Sequence, residues 1–289
     1  MSAVPAGAGL GGAIDNEGAS VTLKNVRAYG CGAQNGGFFY NSFGKTATIE
    51  NTTVKFCSAA IGGGAVCNYG TCVAAGLEIY GCGASIVGGG IFNQSAAVDL
   101  FPATLVLRDS LISGCIGTAG GGGIYNCDDM TVENSIIKNC VSGSIGGGIV
   151  HDGAFSKNGL GAEAAFSKIT ISGCSSTHES WNESVYVKNA FLRMQSGTIE
   201  NMIFTNDNTE NGDPACDVVI YAGDFTNYVP KAEHIDADSY LTQSGDLCRV
   251  RVRKGLESVS VNSVSANSVS ANTVSGNAIF TYDGTPKAL

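Results

Sequence analysis

The sequence predicts an all-β protein: a right-handed parallel β-helix of about seven rungs over residues 1–207, a β-rich cap or small β-domain over 208–256, and a pentad-repeat tail over 257–289. Three observations carry this. Two residue markers recur along the first two thirds of the chain with one shared period. The apolar positions between the markers alternate with polar ones. Beyond residue 257 the period shortens to five.

The first marker is the Asn that follows each glycine cluster: Asn16, Asn41, Asn68, Asn93 and Asn126, then His151 with Asp152 beside it, at steps of 25, 27, 25, 33 and 25. The second is a cysteine: Cys31, Cys57, Cys82, Cys115, Cys140 and Cys174, at steps of 26, 25, 33, 25 and 34. A further step of 33 lands on Asp207, where the thiol is gone. Such a unit is too short for a pair of solenoid helices and shows no 3.6-residue pattern. It suits one coil of two or three short strands.

Within each unit the residue three before the cysteine is Ala28, Val54, Ile79, Ile112, Ile137 or Ile171. The residue eight before is Leu23, Ile49, Ala74, Leu107, Val132 or Phe166. Polar columns lie between, so one face points inward. Rungs about 4.8 Å apart set each residue on its equivalent, so aliphatics stack on aliphatics and Asn on Asn. The cysteine column is small and apolar enough to face inward. The glycines mark a crowded or left-handed corner that a Cβ would block. Lys24, Glu50, Arg108 and Glu133 read as outward charges pairing along the stack, and Asn25, Asn51, Asp109, Asn134 and Asn201 as a second polar ladder.

Composition agrees with a turn-rich β-protein: 44% hydrophobic, 14% charged, 41 glycines and five prolines in 289 residues. A net charge of −9 lacks the electrostatic footprint of a nucleic-acid binder. The basic stretch Arg249 to Lys254 alternates with Val and reads as the exposed face of a strand. The N-terminal MSAVPAGAGLGGAI has neither a basic n-region nor a long apolar h-region, so it is not read as a signal peptide. No run suggests membrane insertion.

The glycine corners GGAID (11–15), GGGAVCN (62–68), GGGIFN (88–93), GGGGIYN (120–126) and GGGIVHD (146–152) resemble the GGA[ILV] half of the repeat in polymorphic outer membrane proteins. More broadly they are similar to pectate-lyase-like right-handed β-helix repeats. The partner motif FxxN is replaced by IYGC, ISGC and IKNC. The resemblance spans residues 10 to 207 and implies a surface or adhesive role, in a cell-surface, extracellular or virion-type assembly.

Three coils are lengthened, at 94–103, 153–165 and 175–184. Loops at one corner of a solenoid suit recognition, and Phe101, Phe155, Lys157 and Trp181 are the candidate binding residues there. Plain length variation is the competing reading. Residues 258–277, SVSVN SVSAN SVSAN TVSGN, form four pentads that cannot bury a core alone. They must pack on the β-helix, associate with another copy or another chain, or stay extended.

Catalytic chemistry has a thin basis. Asp128, Asp129, His151 and Asp152 fall at neighbouring corners, where paired carboxylates could share a proton or a cation. Corner Asp residues are also turn formers. No metal spacing and no cofactor motif is present. Cys67 with Cys72, and Cys216 with Cys248, could form bridges, and the state of Cys127 is open. Scattered Thr22, Thr48, Thr53, Thr131 and Thr170 make no continuous ice-binding row. The sequence therefore points to a non-enzymatic structural or adhesive component that associates through its loops and tail. A glycan-binding or glycan-cleaving β-helix is the alternative.

Overall fold

The computed structural model describes residues 9–95, 101–153, 162–177, 182–206, 216–253, 259–261 and 276–278. The chain divides into two compact units, Met1–Arg251 and Val252–Leu289. The first is a parallel β-helix.

Each coil contributes one strand to each of three long parallel sheets. The first sheet stacks Ile14–Asn16, Phe39–Asn41, Val66–Asn68, Ile91–Asn93, Ile124–Asn126, Ile149–Asp152, Glu183–Lys188 and Met202–Asn206. The second runs from Ser20–Lys24 to Asp217–Ile220, and the third from Arg27–Tyr29 to Gly223–Thr226, again with eight parallel strands each. A fourth sheet of six two-residue strands, Gly32–Ala33 to Ser175–Ser176, closes the coil beside the cysteines.

The stack thus has eight rungs where about seven were expected, and it runs past residue 207. The inward columns continue without their sequence markers. Leu23, Ile49, Ala74, Leu107, Val132 and Phe166 are followed in register by Met194 and Ile220. Ala28, Val54, Ile79, Ile112, Ile137 and Ile171 are followed by Ile199 and Phe225. Burial of one such side chain stabilises by about 2 kcal/mol, and a single apolar cluster runs from Leu23 to Val250. Asp207, where the second marker was extrapolated, lies outside the described residues.

After the eighth rung the direction reverses. Leu247–Val252 pairs antiparallel with Gly223–Thr226, and Ser239–Ser244 lies beyond it. Cys248 and Val250 point into the core, while Arg249 and Arg251 alternate outward. Arg251 pairs with Asp224 at 2.5 Å, which gives the basic stretch a place on a strand face.

The glycine corner is steric in origin. Gly63 has φ +69°, and a Cβ there would sit 2.2 Å from the Val66 carbonyl oxygen. A Cβ on Gly64 would sit 2.1 Å from the carbonyl oxygen of Gly89 in the next rung. The corner after the second sheet is left-handed at Asn25, Asn51, Gly76, Asp109, Asn134 and Lys168. Asn201 does not belong to that column. Its N–H donates to Thr226 O, as Gly30 N–H donates to Lys55 O, so it stands at the corner after the third sheet. The outward charges pair along the stack, with Lys24–Glu50 at 2.8 Å and Arg108–Glu133 at 3.3 Å. Exposed pairs of this kind add roughly 0–1 kcal/mol.

In the second unit, Val259–Val261 pairs antiparallel with Gly276–Ala278, joining the first and last pentads.

Candidate functional site

The corner between the first and second sheets gathers the Asn ladder, the acidic candidates and two of the lengthened loops. The first five strands of the first sheet end on the ladder residue, and their side chains alternate: Ile91 enters the main core while Phe92 packs in a separate outer cluster, which turns Asn93 inward. The amides then chain from rung to rung. Asn16 Nδ2 donates to Asn41 Oδ1, Asn41 to Asn68, and Asn68 to Asn93, each at 2.7 Å; Asn93 donates to Asn126 at 2.6 Å. The remaining Nδ2 hydrogens serve backbone carbonyls, as when Asn68 donates to Gly70 O at 2.8 Å and Thr104 O at 3.2 Å. Asn41, Asn68, Asn93 and Asn126 are fully buried, so this satisfaction is obligatory.

His151 ends the ladder. Asn126 Nδ2 lies 2.9 Å from His151 Nδ1, and an amide NH₂ can only donate, so Nδ1 accepts. The proton therefore sits on Nε2, which faces Ala162 O at 3.2 Å and Phe191 O at 3.1 Å. His151 thus reproduces the bonds of a ladder Asn. Burial pushes its pKa down to about 4, against the weaker pull of the backbone carbonyls and Asp129 toward the charged form.

The acidic candidates are drawn into the same scaffold. Asp128 is 2% exposed. Its carboxylate accepts the Ala103 N–H at 2.9 Å and the Asp129 N–H at 3.0 Å, tying down the end of the 94–103 loop. Burial raises its pKa despite those bonds. Asp129 Oδ1 accepts the Glu163 N–H at 3.1 Å, one coil on. Asp152, 7% exposed, accepts the Tyr125 hydroxyl at 3.3 Å. Asp128 and Asp152 both flank the buried Cys127, whose thiol is raised by burial first and by those carboxylates second. Among the described residues no group of three or more His, Cys, Asp and Glu side chains could hold a metal ion.

Of the loop candidates, Phe101 is 48% exposed, with its ring over Gly44. Beside it in sequence, Phe43 packs 4.6 Å from Tyr69. Phe155, Lys157 and Trp181 lie outside the described residues.

Cys31, Cys57, Cys67, Cys72, Cys82, Cys115, Cys127, Cys140, Cys174 and Cys248 are free thiols. Cys57, Cys82, Cys115, Cys140 and Cys174 are buried in the main core, with Cys31 half-buried at its end. Cys57, Cys115 and Cys174 are held above the ordinary thiol range by hydrogen bonding to neighbouring thiols of the column and by burial. Cys67 and Cys72 sit in separate clusters, the first packed outside the sheet with Tyr40, Phe92 and Cys127, the second in the main core. Cys216 donates to Val187 O at 3.4 Å, and Cys248 is buried.

That outer cluster was not foreseen. The middle residues of the second to fifth first-sheet strands form a column, Tyr40, Cys67, Phe92, Tyr125, that packs apart from the main core yet is largely covered. Tyr69 bridges it, 5.6 Å from Tyr40 and 5.9 Å from Phe92. The pattern FYN, VCN, IFN, IYN was its visible signal.

Among the described residues no helix is long and apolar enough to cross a membrane. No protein-family model, no curated protein and no solved structure matches this chain.

Proposed function

We propose that this chain is a non-enzymatic structural or adhesive surface component, a rigid β-solenoid that presents its outer faces and corner loops and associates through residues 258–289. The observation that carries this is the use made of the corner chemistry. Asp128, Asp129 and Asp152 accept bonds from the chain's own backbone and Tyr125, and His151 closes the buried ladder. Asp128, Asp152 and His151, buried and bonded in this way, stiffen the stack and turn away from a substrate, and the exposed Asp129 ties the next coil through Glu163 N–H. The pairing of Val259–Val261 with Gly276–Ala278 supports a tail that forms β-ladders from its own pentads. The resemblance of the glycine corner to polymorphic outer membrane protein repeats, read from the sequence, favours a surface setting.

The test is solution mass by light scattering, for the full chain beside a chain ending at Gly255. A mass above the monomer that falls to the monomer on truncation supports association through the tail. Two monomers refute it.

A further inference from the structure

The corner after the third sheet is left-handed in every one of its first six rungs. Gly30, Gly81, Gly114 and Gly173 have φ between 58° and 64°, and Asn139 has φ 53°. The second rung holds Phe56, at φ 54°. A bulky residue is a poor occupant of this conformation, and such outliers cluster at functional positions. The backbone holds Phe56 as it holds the glycines, since its N–H donates to Tyr80 O at 2.9 Å. Its side chain is 55% exposed and lies across Gly81, where a Cβ would come within 2.8 Å of the ring. Tyr29, 74% exposed, meets it edge-on at 5.4 Å. The bare Gly81 thus makes a seat for a ring that neither the fold nor the core requires.

The surroundings are polar. Lys55 Nζ stands 4.8 Å from the Tyr80 ring centre, and the Tyr80 hydroxyl donates to Glu78 at 3.3 Å. A shallow groove of about 390 Å³ runs alongside, lined by Arg27, Tyr29, Lys55 and Glu78 among others. Among the described residues neither Arg27 nor Lys55 forms an ion pair, in a chain whose net charge is −9. The strands beneath are paired on both edges in the middle rung, so no backbone is free there to receive an added peptide strand. Successive rungs step by roughly 4.8 Å, close to the length of one sugar ring. Exposed aromatic faces suit the C–H faces of pyranoses, and unpaired cations suit carboxylates.

We propose that Tyr29, Phe56 and Tyr80, with Arg27 and Lys55, form a binding platform for an acidic, carboxylate-bearing oligosaccharide. This goes beyond the scaffold role and does not depend on the tail. The Tyr29 and Tyr80 rings, two rungs apart, take alternate sugars with Phe56 flanking them; Lys55, in the rung between, and Arg27, beside Tyr29, take the carboxylates.

The experiment is calorimetric titration of the full chain with a hyaluronan hexasaccharide and, separately, with neutral chitohexaose. Hyaluronan binds, more weakly as salt is raised. Phe56→Gly and Tyr29→Ala each cost about tenfold or more in affinity, and Arg27→Gln/Lys55→Gln removes the salt dependence. Phe56→Gly keeps the fold, since Gly is the usual residue at this corner, and its circular dichroism matches the wild type. Tyr240→Ala, an exposed ring on the capping strand Ser239–Ser244, leaves binding unchanged. No hyaluronan binding, or binding that Phe56→Gly and Tyr29→Ala leave intact, would overturn the platform. Equal binding of chitohexaose would overturn the role given to Arg27 and Lys55. Self-association that disappears with Tyr29 and Phe56 would assign the patch to a second copy instead.

Discussion

Lowering the pH tests the ladder at its terminal residue. His151 is fully buried as the neutral Nε2–H tautomer, with a pKa near 4 in the fold against an ordinary 6.5. Between those values the unfolded chain takes up a proton that the native state refuses. Stability therefore rises with pH across this window: the His151 contribution is complete above 6.5 and lost as pH falls to about 4. The interval corresponds to about 3 kcal/mol. Protonation at Nδ1 would also turn the Asn126 amide against another donor. The assay is urea unfolding of the wild type and His151→Asn at several pH values from 4 to 7. Asn in this position can accept from Asn126 and donate to Phe191 O, and it does not titrate. The variant should lose the slope that the wild type shows in this window. Asp128, whose raised pKa acts in the opposite direction, titrates in both proteins and cancels in the difference. Identical slopes, or an imidazole that titrates near 6.5 by NMR, would refute the assignment.

Three further outcomes follow from the same geometry. Asn68→Ala removes the amide bonds to Asn41 and Asn93 and the side-chain bonds to Gly70 O and Thr104 O from a fully buried position, so urea unfolding should register a loss of about 3 kcal/mol. Gly63→Ala forces φ +69° and a backbone clash on an alanine, and should cost at least about 2 kcal/mol by the same measurement. In a thiol-labelling time course, Cys31 reacts first, and Cys57, Cys115 and Cys174 react only at the rate of unfolding, because burial and raised thiol pKa both protect them.

A solenoid makes its fold unusually legible because each residue stacks on its own equivalent. The periods of Asn and Cys place the ladder and the inward columns from Leu23 to Phe166, and the register agrees at every step. Legibility fails where the marker is lost and the packing persists. Met194, Ile220 and Phe225 carry the last rungs on apolar shape, beyond the periodic glycine clusters and the cysteine column that mark the earlier ones. Asn201 was misplaced because two corners use the same left-handed Asn, and sequence spacing alone does not separate them. The acidic candidates were found by type and proximity. Only the three-dimensional arrangement shows their oxygens turned to Ala103, Glu163 and Tyr125. Phe56 escaped notice because in a list of glycines it looks like noise, whereas its dihedral makes it the exception.

The stack also changes how it holds itself along its length. In its first five rungs the first-sheet strands are three residues long, and the buried amide ladder supplements their few backbone bonds. His151 ends that ladder, and the next residues in its column are Val187 and Thr205. There the strands lengthen to six residues at Glu183–Lys188 and five at Met202–Asn206. Backbone pairing takes over where side-chain pairing stops, and a register shift between Glu183 and Val185 marks the change. The first three rungs, ahead of the lengthened 94–103 corner, are uniform enough to present an outer pattern at constant spacing, which a platform for a repeating ligand requires. The later rungs carry the 153–165 corner and the reversed strands that end the stack. Presentation and termination are thus divided along one axis, and the Asn126–His151 contact marks the boundary between them.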